Sequence, residues 1–525
     1  MAIKKVAKEY KKLYLESFKI IIPEFKIILP IISGVLIVLI QPPISISPMA
    51  FVALAPLLVS LKKDRLYQNF LAGLLAGFVG YLGTVYWVVV AMNRYGGLDF
   101  ISSILIMLLL VLYMSFYIGI FCYAITFFDH RFSIPIYLSS PFIWVILEYI
   151  RGFLMTGFPW AFLAYSQHNF LPFIQVVSIT GVYFISFMIV AVNCIFYRLW
   201  TKKSIPVLFT LIVAILLISS IVYGFIRLKN DSLSGEIATV AVIQGNISQD
   251  IKWDEQYKAK MITKYYQMTL DHGKGSNLVI WPETAIPLVI NSAKQVDGIL
   301  RSLAVSIDAD LLFGTVHMED NDRLYNSAYL FHKNGTTSGL YNKVHLVPFG
   351  EYTPLVEYLP FLSKITAVGG GFSPGKSHMP VTSSLGAIGV LICYEGIFPE
   401  ISVNTVRKGA QVLVNLTNDA WYDRTSAPYQ HLSFYVFRAI ETERYVIRAA
   451  NTGISAIIDT RGRIKEKTGI FDDAVLKGEF LLSHGRTFYV KYGDWFIYSI
   501  TGGFVILVGI FFILKKFYNK NLQKP

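Results

Sequence analysis

Charge is scarce in this chain of 525 residues. Only 15% is Asp, Glu, Lys or Arg, against roughly 25% in a soluble globular protein. Hydrophobic residues make up 54%, and mean hydropathy is +0.52. That balance excludes an ordinary soluble fold for much of the chain. Cysteine is rarer still: Cys122, Cys194 and Cys393 are the whole set. The first two lie in apolar runs, so Cys393 stands alone in the polar part and no disulfide framework can form there. The nine histidines show no metal-site spacing such as HExxH, so no metal is expected. There is no internal repeat and no low-complexity tract.

What charge there is lies unevenly. Between Asp231 and Val490 there are 24 Lys+Arg and 26 Asp+Glu, which leaves 23 basic and 8 acidic residues for the remainder. The net charge of +13 therefore belongs to the apolar part, where basic residues set membrane orientation, and is no nucleic-acid footprint.

A length of about 20 apolar residues crosses a bilayer. Candidate spans are Ile20–Ile40, Ser45–Leu61, Phe70–Met92, Ile101–Phe128, Ile134–Tyr149, Phe170–Trp200, Ile205–Phe225 and Trp495–Leu514, about eight in all. The second and fifth are short. The basic N-terminus has no small-residue cleavage site after its first apolar run, so an uncleaved anchor is expected. With that end in the cytoplasm, alternate connections carry Lys62, Lys63, Arg65, Arg131, Arg198, Lys202 and Lys203, followed by Lys515, Lys516, Lys520 and Lys524. The other side carries few: Arg94, Arg151, Arg227, Lys229 and Lys491. This bias puts the polar domain outside the cytoplasm. The expected organisation is a bundle over 1–228, a polar domain over 229–492, and a last span with a basic tail over 493–525.

Within the polar domain, ATVAVIQGN, NLVIWPE, DLLFGTV, LYNSAYLF, AIGVLICYE and AQVLVNLTN read as strands. Lys258–Leu270 and Tyr429–Ala450 read as helices, and ISAIIDTRGRIKEKT as a hairpin turning at Arg461-Gly462. Near-continuous apolar strands imply a sheet covered on both faces, hence a layered α/β domain.

Three of these segments deliver a reactive side chain. NLVIWPET ends at Glu283, GLYNKVHLVPFGEY carries Lys343 and Glu351, and GVLICYEGIFPE presents Cys393, Tyr394 and Glu395. A thiol is mostly protonated at neutral pH and needs a base. A carboxylate at a neighbouring strand end can take the proton. A lysine can favour the thiolate and hold a tetrahedral oxyanion, with the Tyr394 N–H as a second donor. Singly, each residue has a plainer reading: a buried cysteine is usually packing, and a loop lysine is usually solvated. Their conjunction in one domain favours chemistry.

WPET, NKVHLVPFGEY and LICYEGIFPE, in this order and about 50 to 60 residues apart, resemble the Glu–Lys–Cys triad of the nitrilase (carbon–nitrogen hydrolase) superfamily. Seven spans before the domain and one after, together with RGFLMTGFPW, QGNISQDIKWD and NLTNDAWY, resemble the apolipoprotein N-acyltransferase family of the bacterial inner membrane. The resemblance implies a four-layer α-β-β-α sandwich, with Glu283 as base, Lys343 as oxyanion stabiliser and Cys393 as nucleophile. Glu351, Tyr394 and Glu395 become accessory active-site residues, and Trp253 a functional residue near the site. It also implies a ping-pong reaction, the last step of lipoprotein maturation. Cys393 takes an acyl chain from a phospholipid, and the diacylglyceryl-apolipoprotein then receives it on the α-amino group of its N-terminal cysteine. No cofactor enters this scheme.

Both substrates carry acyl chains, and drawing one into water costs about 0.8 kcal/mol per CH₂. A bundle beneath the site offers a route from the bilayer, and Trp160 is expected to line its entrance or to anchor the interface. Glu148 and Arg151, three apart, are expected to pair at a helix end. Residues 370–377 fit the P-loop pattern GxxxxGK[ST], but no strand leads in and SHMPVTSS is a poor helix. A glycine-rich lid is the better reading, with neither nucleotide nor nucleic acid as a partner. The alternative function is a membrane-tethered amidase or nitrilase-type hydrolase, which needs one span rather than many. A transporter is disfavoured because few charged side chains interrupt the spans.

Overall fold

The structure, a computed structural model, describes residues 27–230, 235–319, 322–353 and 371–522. Among these, six helices are long and apolar enough to cross a membrane: Leu66–Val85, Phe100–Phe132, Ile136–Thr156, Tyr183–Trp200, Val207–Lys229 and Trp495–Phe517. The helix Ile27–Ile40 is shorter, and the basic segment before it lies outside the described residues. Two expected spans differ. Ser45–Leu61 is a 3-10 turn, Ser47–Phe51, followed by a six-residue helix, Ala55–Ser60. Phe170–Trp200 is cut at Gly181, which takes φ +70° against the ring of Tyr489. A β-carbon there would lie 2.6 Å from that ring, so the chain turns where only glycine fits.

Basic residues gather at the end of the bundle away from the polar domain. Lys63 pairs with Asp129 at 3.4 Å, and the Lys515 ammonium donates to the Arg131 carbonyl at 2.7 Å. At the other end, Arg227 holds Glu443 of the polar domain, which Arg461 of that domain holds as well.

The polar domain is two sheets. The first contains β1 (Glu236–Gln244), β2 (Leu278–Ile280), β3 (Ile286–Val289), β4 (Asp310–Met318), β5 (Leu324–Phe331) and β6 (Thr337–Asn342). The second contains β7 (Val381–Thr382), β8 (Ala387–Ile392), β9 (Val412–Thr417), β10 (Val446–Ala450), β11 (Ala456–Ile458) and β12 (Ile464–Lys467). The final strand, β13 (Ala474–Leu482), returns to the first sheet, whose order is β13-β1-β2-β4-β5-β6 with β3 on β4. The second sheet runs β12-β11-β10-β9-β8-β7. Strands β1, β2 and β4 are parallel, as are β8, β9 and β10.

Alternation along the strands builds the layers. Val240 and Val242 meet Val390, Ile392, Val412 and Val414 between the sheets. Ala241 and Ile243 face the helices Glu255–His272 and Lys294–Ile307 through Tyr265 and Leu300. On the far side, Leu391 and Leu413 face the helices Pro399–Arg407 and Ala427–Thr442. The architecture is the expected α-β-β-α sandwich.

One expected helix was too long. The segment Tyr429–Ala450 is helical only to Thr442, because Glu443 turns left-handed at φ +53° and Val446–Ala450 becomes β10. That helix is the joint of the molecule. All of its residues except Tyr429 are buried, and its apolar core is continuous with that of the bundle. Leu432, Phe434, Val436, Phe437 and Ile440 each contribute about 1.5–3 kcal/mol by leaving water.

Candidate active site

Glu283, Lys343 and Cys393 each stand just past the end of a strand: β2, β6 and β8. The sheets thus bring together three residues far apart in sequence. The turn carrying Glu283 lies flat on β4. A β-carbon on Gly314 would come within 2.7 Å of the Glu283 α-carbon, so glycine there lets the turn approach. Cys393 adopts φ +49°, a left-handed conformation that a non-glycine residue holds only under strong local constraint.

Lys343 is 1% exposed and ion-paired with Glu351 at 2.9 Å and Glu283 at 3.6 Å. Burial alone would depress the ammonium, but the Glu351 and Glu283 carboxylates outweigh it and hold Lys343 above the usual lysine range. The ammonium is thus held between the two carboxylates. Asn326, on β5, donates from Nδ2 to both carboxylates at 2.8 Å. Glu351 also accepts from the Val347 N–H at 2.8 Å. The carboxylates are therefore fixed before any substrate arrives.

Burial pushes the Cys393 thiol up to about 12, and the Glu283 charge adds to this, while Lys343 opposes it. Such a thiol is inert unless a base takes its proton as it attacks. The Tyr394 N–H begins the 3-10 turn Cys393–Ile397, where the first amides lack partners within the turn. The Tyr394 hydroxyl donates to the Gly157 carbonyl at 3.0 Å, tying the Cys393 turn to the bundle.

Glu395 is fully buried. It accepts from Tyr341 Oη at 2.9 Å, the Val344 and His345 amides at 2.7 and 3.2 Å, and the Ile392 amide at 2.7 Å. Burial raises it to about 7 despite these donors. It ties the Cys393 turn to the Lys343 segment rather than facing open space.

A polar network behind Cys393 escaped the sequence reading. Tyr435 donates to the Cys393 carbonyl at 3.0 Å and lies 3.3 Å from His431 Nε2. His431 Nδ1 is 3.0 Å from Asp419, which Arg448 also holds. Arg448 donates further to Asn415 at 2.7 Å. Asn415 and Asp419 belong to NLTNDAWY, so the motif was seen but its task was not.

Two expectations need correction. Trp160 is 1% exposed and faces no opening. It is packed against Trp87, Phe158 and Phe434, and its indole N–H finds a buried acceptor in Gln430 at 2.7 Å. Glu148 and Arg151 do not pair. Glu148 accepts the Leu163 amide at 2.9 Å, and Arg151 donates to the Trp160 carbonyl at 3.0 Å, so Arg151 braces the TGFPW loop and Glu148 the turn that follows it. Trp253 is 44% exposed, while its neighbour Lys252 is buried and donates to the Glu283 carbonyl at 3.0 Å. In the P-loop look-alike, Gly370 lies outside the described residues, and Gly371–Pro380 forms no helix. Its Gly375 amide instead donates to the Lys343 carbonyl at 2.7 Å.

Comparison with known proteins covers both parts of the chain. Residues 239–486 match the carbon-nitrogen hydrolase family, and residues 33–195 match the apolipoprotein N-acyltransferase N-terminal domain. The apolipoprotein N-acyltransferase of Geobacter metallireducens is 40% identical over 501 residues, covering 93% of this chain and 96% of its own. Those of Haemophilus ducreyi and Pasteurella multocida are each 30% identical, over 81% and 90% of this chain and 84% and 92% of their own. A solved carbon-nitrogen hydrolase from Helicobacter pylori G27 covers 46% of this chain and 89% of its own at 17% identity, with a TM-score of 0.37, too low to weigh in the assignment. With similarity running through both the bundle and the sandwich, the chain belongs to the apolipoprotein N-acyltransferase family.

Proposed function

We propose that this protein moves an acyl chain from a membrane phospholipid to the α-amino group of the lipidated N-terminal cysteine of an apolipoprotein, through a thioester on Cys393. The observation that carries this reading is the convergence of Glu283, Lys343 and Cys393 in a sandwich whose core is continuous with a membrane bundle. The name shared by relatives along nearly the whole chain supports it.

In the first half-reaction, Glu283 takes the thiol proton as the Cys393 sulfur attacks the ester carbonyl. The Lys343 N–H groups and the Tyr394 amide hold the oxyanion. As the intermediate collapses, the C–O bond breaks and Glu283 returns the proton to the departing lysophospholipid oxygen. In the second, the acceptor amine attacks the thioester, Glu283 takes the amine proton, and as the C–S bond breaks Glu283 passes that proton to the departing sulfur, restoring the thiol. Glu351 and Asn326 keep Lys343 and Glu283 in place, and Glu395 fixes the loop between Lys343 and the nucleophile. Exposed Trp253 contacts lipid or peptide at the mouth of the site. The sandwich, over about residues 229–492, faces the periplasm, and the bundle lies in the inner membrane.

The test is intact-protein mass with phospholipid and no acceptor. One acyl chain gained, with lysophospholipid released in equal amount, is the expected result. Rapid release of free fatty acid without acceptor would favour the hydrolase instead.

A further inference from the structure

Among the described residues only two lysines are buried, Lys343 and Lys252. The scheme above uses the first and has no task for the second. Lys252 sits in the turn after β1, 3% exposed, and among the described residues its hydrogen bond runs 3.0 Å to the main-chain carbonyl of Glu283. A lysine ammonium has three N–H donors, so that bond to a neutral carbonyl uses one of them. Burying an ammonium without a carboxylate partner is costly and calls for a reason.

The charges that face Lys252 supply one. Glu283, on the turn after β2, and Cys393, at the end of β8, are the two groups whose negative charge acts on Lys252. Lys343 and Glu351 stand behind Glu283 in its ion-pair cluster. The acids beside it in sequence point elsewhere: Asp250 lies 4.0 Å from Arg94, and Asp254 caps the helix Glu255–His272. Glu283, Glu351 and Lys343 sum to one negative charge, and Lys252 brings the total to zero. When the thiol proton passes to Glu283, the negative charge moves from carboxylate to sulfur and the total is unchanged.

We propose that Lys252 is a positioning and charge-balancing residue of the acyl transfer, a buried ammonium anchored to the Glu283 main chain whose charge offsets that shared between Cys393 and Glu283. The assignment rests on the acyl-transfer reading, and adds a second cation to it. Lys343 acts on the oxyanion. Lys252 acts through Glu283 and the sulfur, keeping the thiolate accessible inside a buried site.

Charge balance gives the proposal a signature in pH. Burial pushes Lys252 down to about 8, with Glu283 and then Cys393 resisting the fall. Its positive charge is present at neutral pH and is lost as pH rises through that value. The thiol then becomes harder to ionise just as hydroxide becomes more abundant.

The experiment follows alkylation of Cys393 by iodoacetamide, read by peptide mass, on the full chain in detergent from pH 6.5 to 9.5. The wild-type rate should climb with pH and then flatten near 8. Lys252→Met, which keeps the length and loses the charge, should react about tenfold more slowly at neutral pH, the effect of moving the thiol by about one pKa unit, and show no break. Lys252→Arg, which keeps its charge throughout the range, should lose the break and keep climbing. Acyl-enzyme formation from phospholipid alone should slow in Lys252→Met by a similar factor. Alkylation of Lys252→Met within about twofold of wild type, or a break that stays near 8 in Lys252→Arg, overturns the proposal. Should Lys252→Met fail to fold, the arginine arm decides alone. A wild type that shows the break but gains no acyl chain sinks the acyl-transfer reading, leaving Lys252 as the residue that sets the charge of the thiol.

Discussion

Gln430 of the sandwich accepts the indole N–H of Trp160 from the bundle at 2.7 Å. The same oxygen takes Trp87 Nε1 at 3.2 Å, while its amide nitrogen donates to the carbonyls of Thr84 and Pro42 at 3.1 and 3.3 Å. One side chain thus meets three separate bundle segments. One helical turn further on, in the same helix, Tyr435 holds the Cys393 carbonyl.

Replacing Gln430 with methionine should therefore destabilise the whole protein. Two indole donors and two carbonyls lose their partner in an apolar setting, at about 1–3 kcal/mol for each group left unpaired. Trp160→Phe, which removes one donor and keeps a ring, should cost less. Thermal unfolding in detergent, followed by near-ultraviolet circular dichroism, checks the ranking. Equal melting temperatures for Gln430→Met and wild type would disprove the role.

Cys393→Ser should abolish acyl transfer, since a serine hydroxyl is far harder to ionise than a thiol that already sits high. Cys122→Ser and Cys194→Ser should keep activity, because both thiols are buried in bundle helices. Acyl-enzyme mass for the three variants gives the answer. Near-normal turnover by Cys393→Ser would mean another nucleophile.

Glu283 and Lys343 should separate in time-resolved mass with phospholipid and no acceptor. Glu283→Gln should gather no thioester, having lost the proton acceptor. Lys343→Met should slow acylation by about 10²–10³, the usual loss for one oxyanion donor, while still yielding some thioester at long times. Normal acylation of Glu283→Gln would transfer the base to Glu351 or Glu395.

Glu395 should make the fold favour mild acid. Its carboxyl is held near 7 in the folded chain, above the value near 4.3 for an unfolded one. The folded state thus binds the proton more tightly between these values, and the stability this lends is lost as pH rises through 7. The drop in melting temperature from pH 5 to pH 8 should be smaller in Glu395→Gln than in wild type. An unchanged drop would mean that Glu395 does not titrate in this window.

A reporter active only in the cytoplasm, fused after Val490, should stay silent. The basis is the gathering of basic residues at the end of the bundle away from the sandwich. Strong signal would reverse the orientation.

Much of this was legible in the sequence, because strand-end chemistry and apolar alternation are local. The six strands read from apolar runs became β1, β2, β4, β5, β8 and β9, and the Arg461-Gly462 turn holds Gly462 at φ +79°. What escaped depends on contacts between distant segments. Asn326 looks like any polar residue in LYNSAYLF until β5 sets it between Glu283 and Glu351. Composition could not divide Tyr429–Ala450, since Tyr, Val and Ile suit a buried helix as well as a strand, and the division rests on the turn at Glu443. Trp160 was noticed for its ring, but its fate is decided by the acceptor on Gln430, 270 residues away.

The helix Ala427–Thr442 has sandwich on one side and bundle on the other, with almost nothing left for solvent. A helix of that kind makes the catalytic part inseparable from its membrane seat. Cut free, the sandwich would present Leu432, Phe434 and Phe437 to water and clump. Cys393, held by the same helix through Tyr435, inherits that dependence. Acyl transfer by this protein is bound to the place where its lipids are, because the part that reacts cannot stay folded without the part that is embedded.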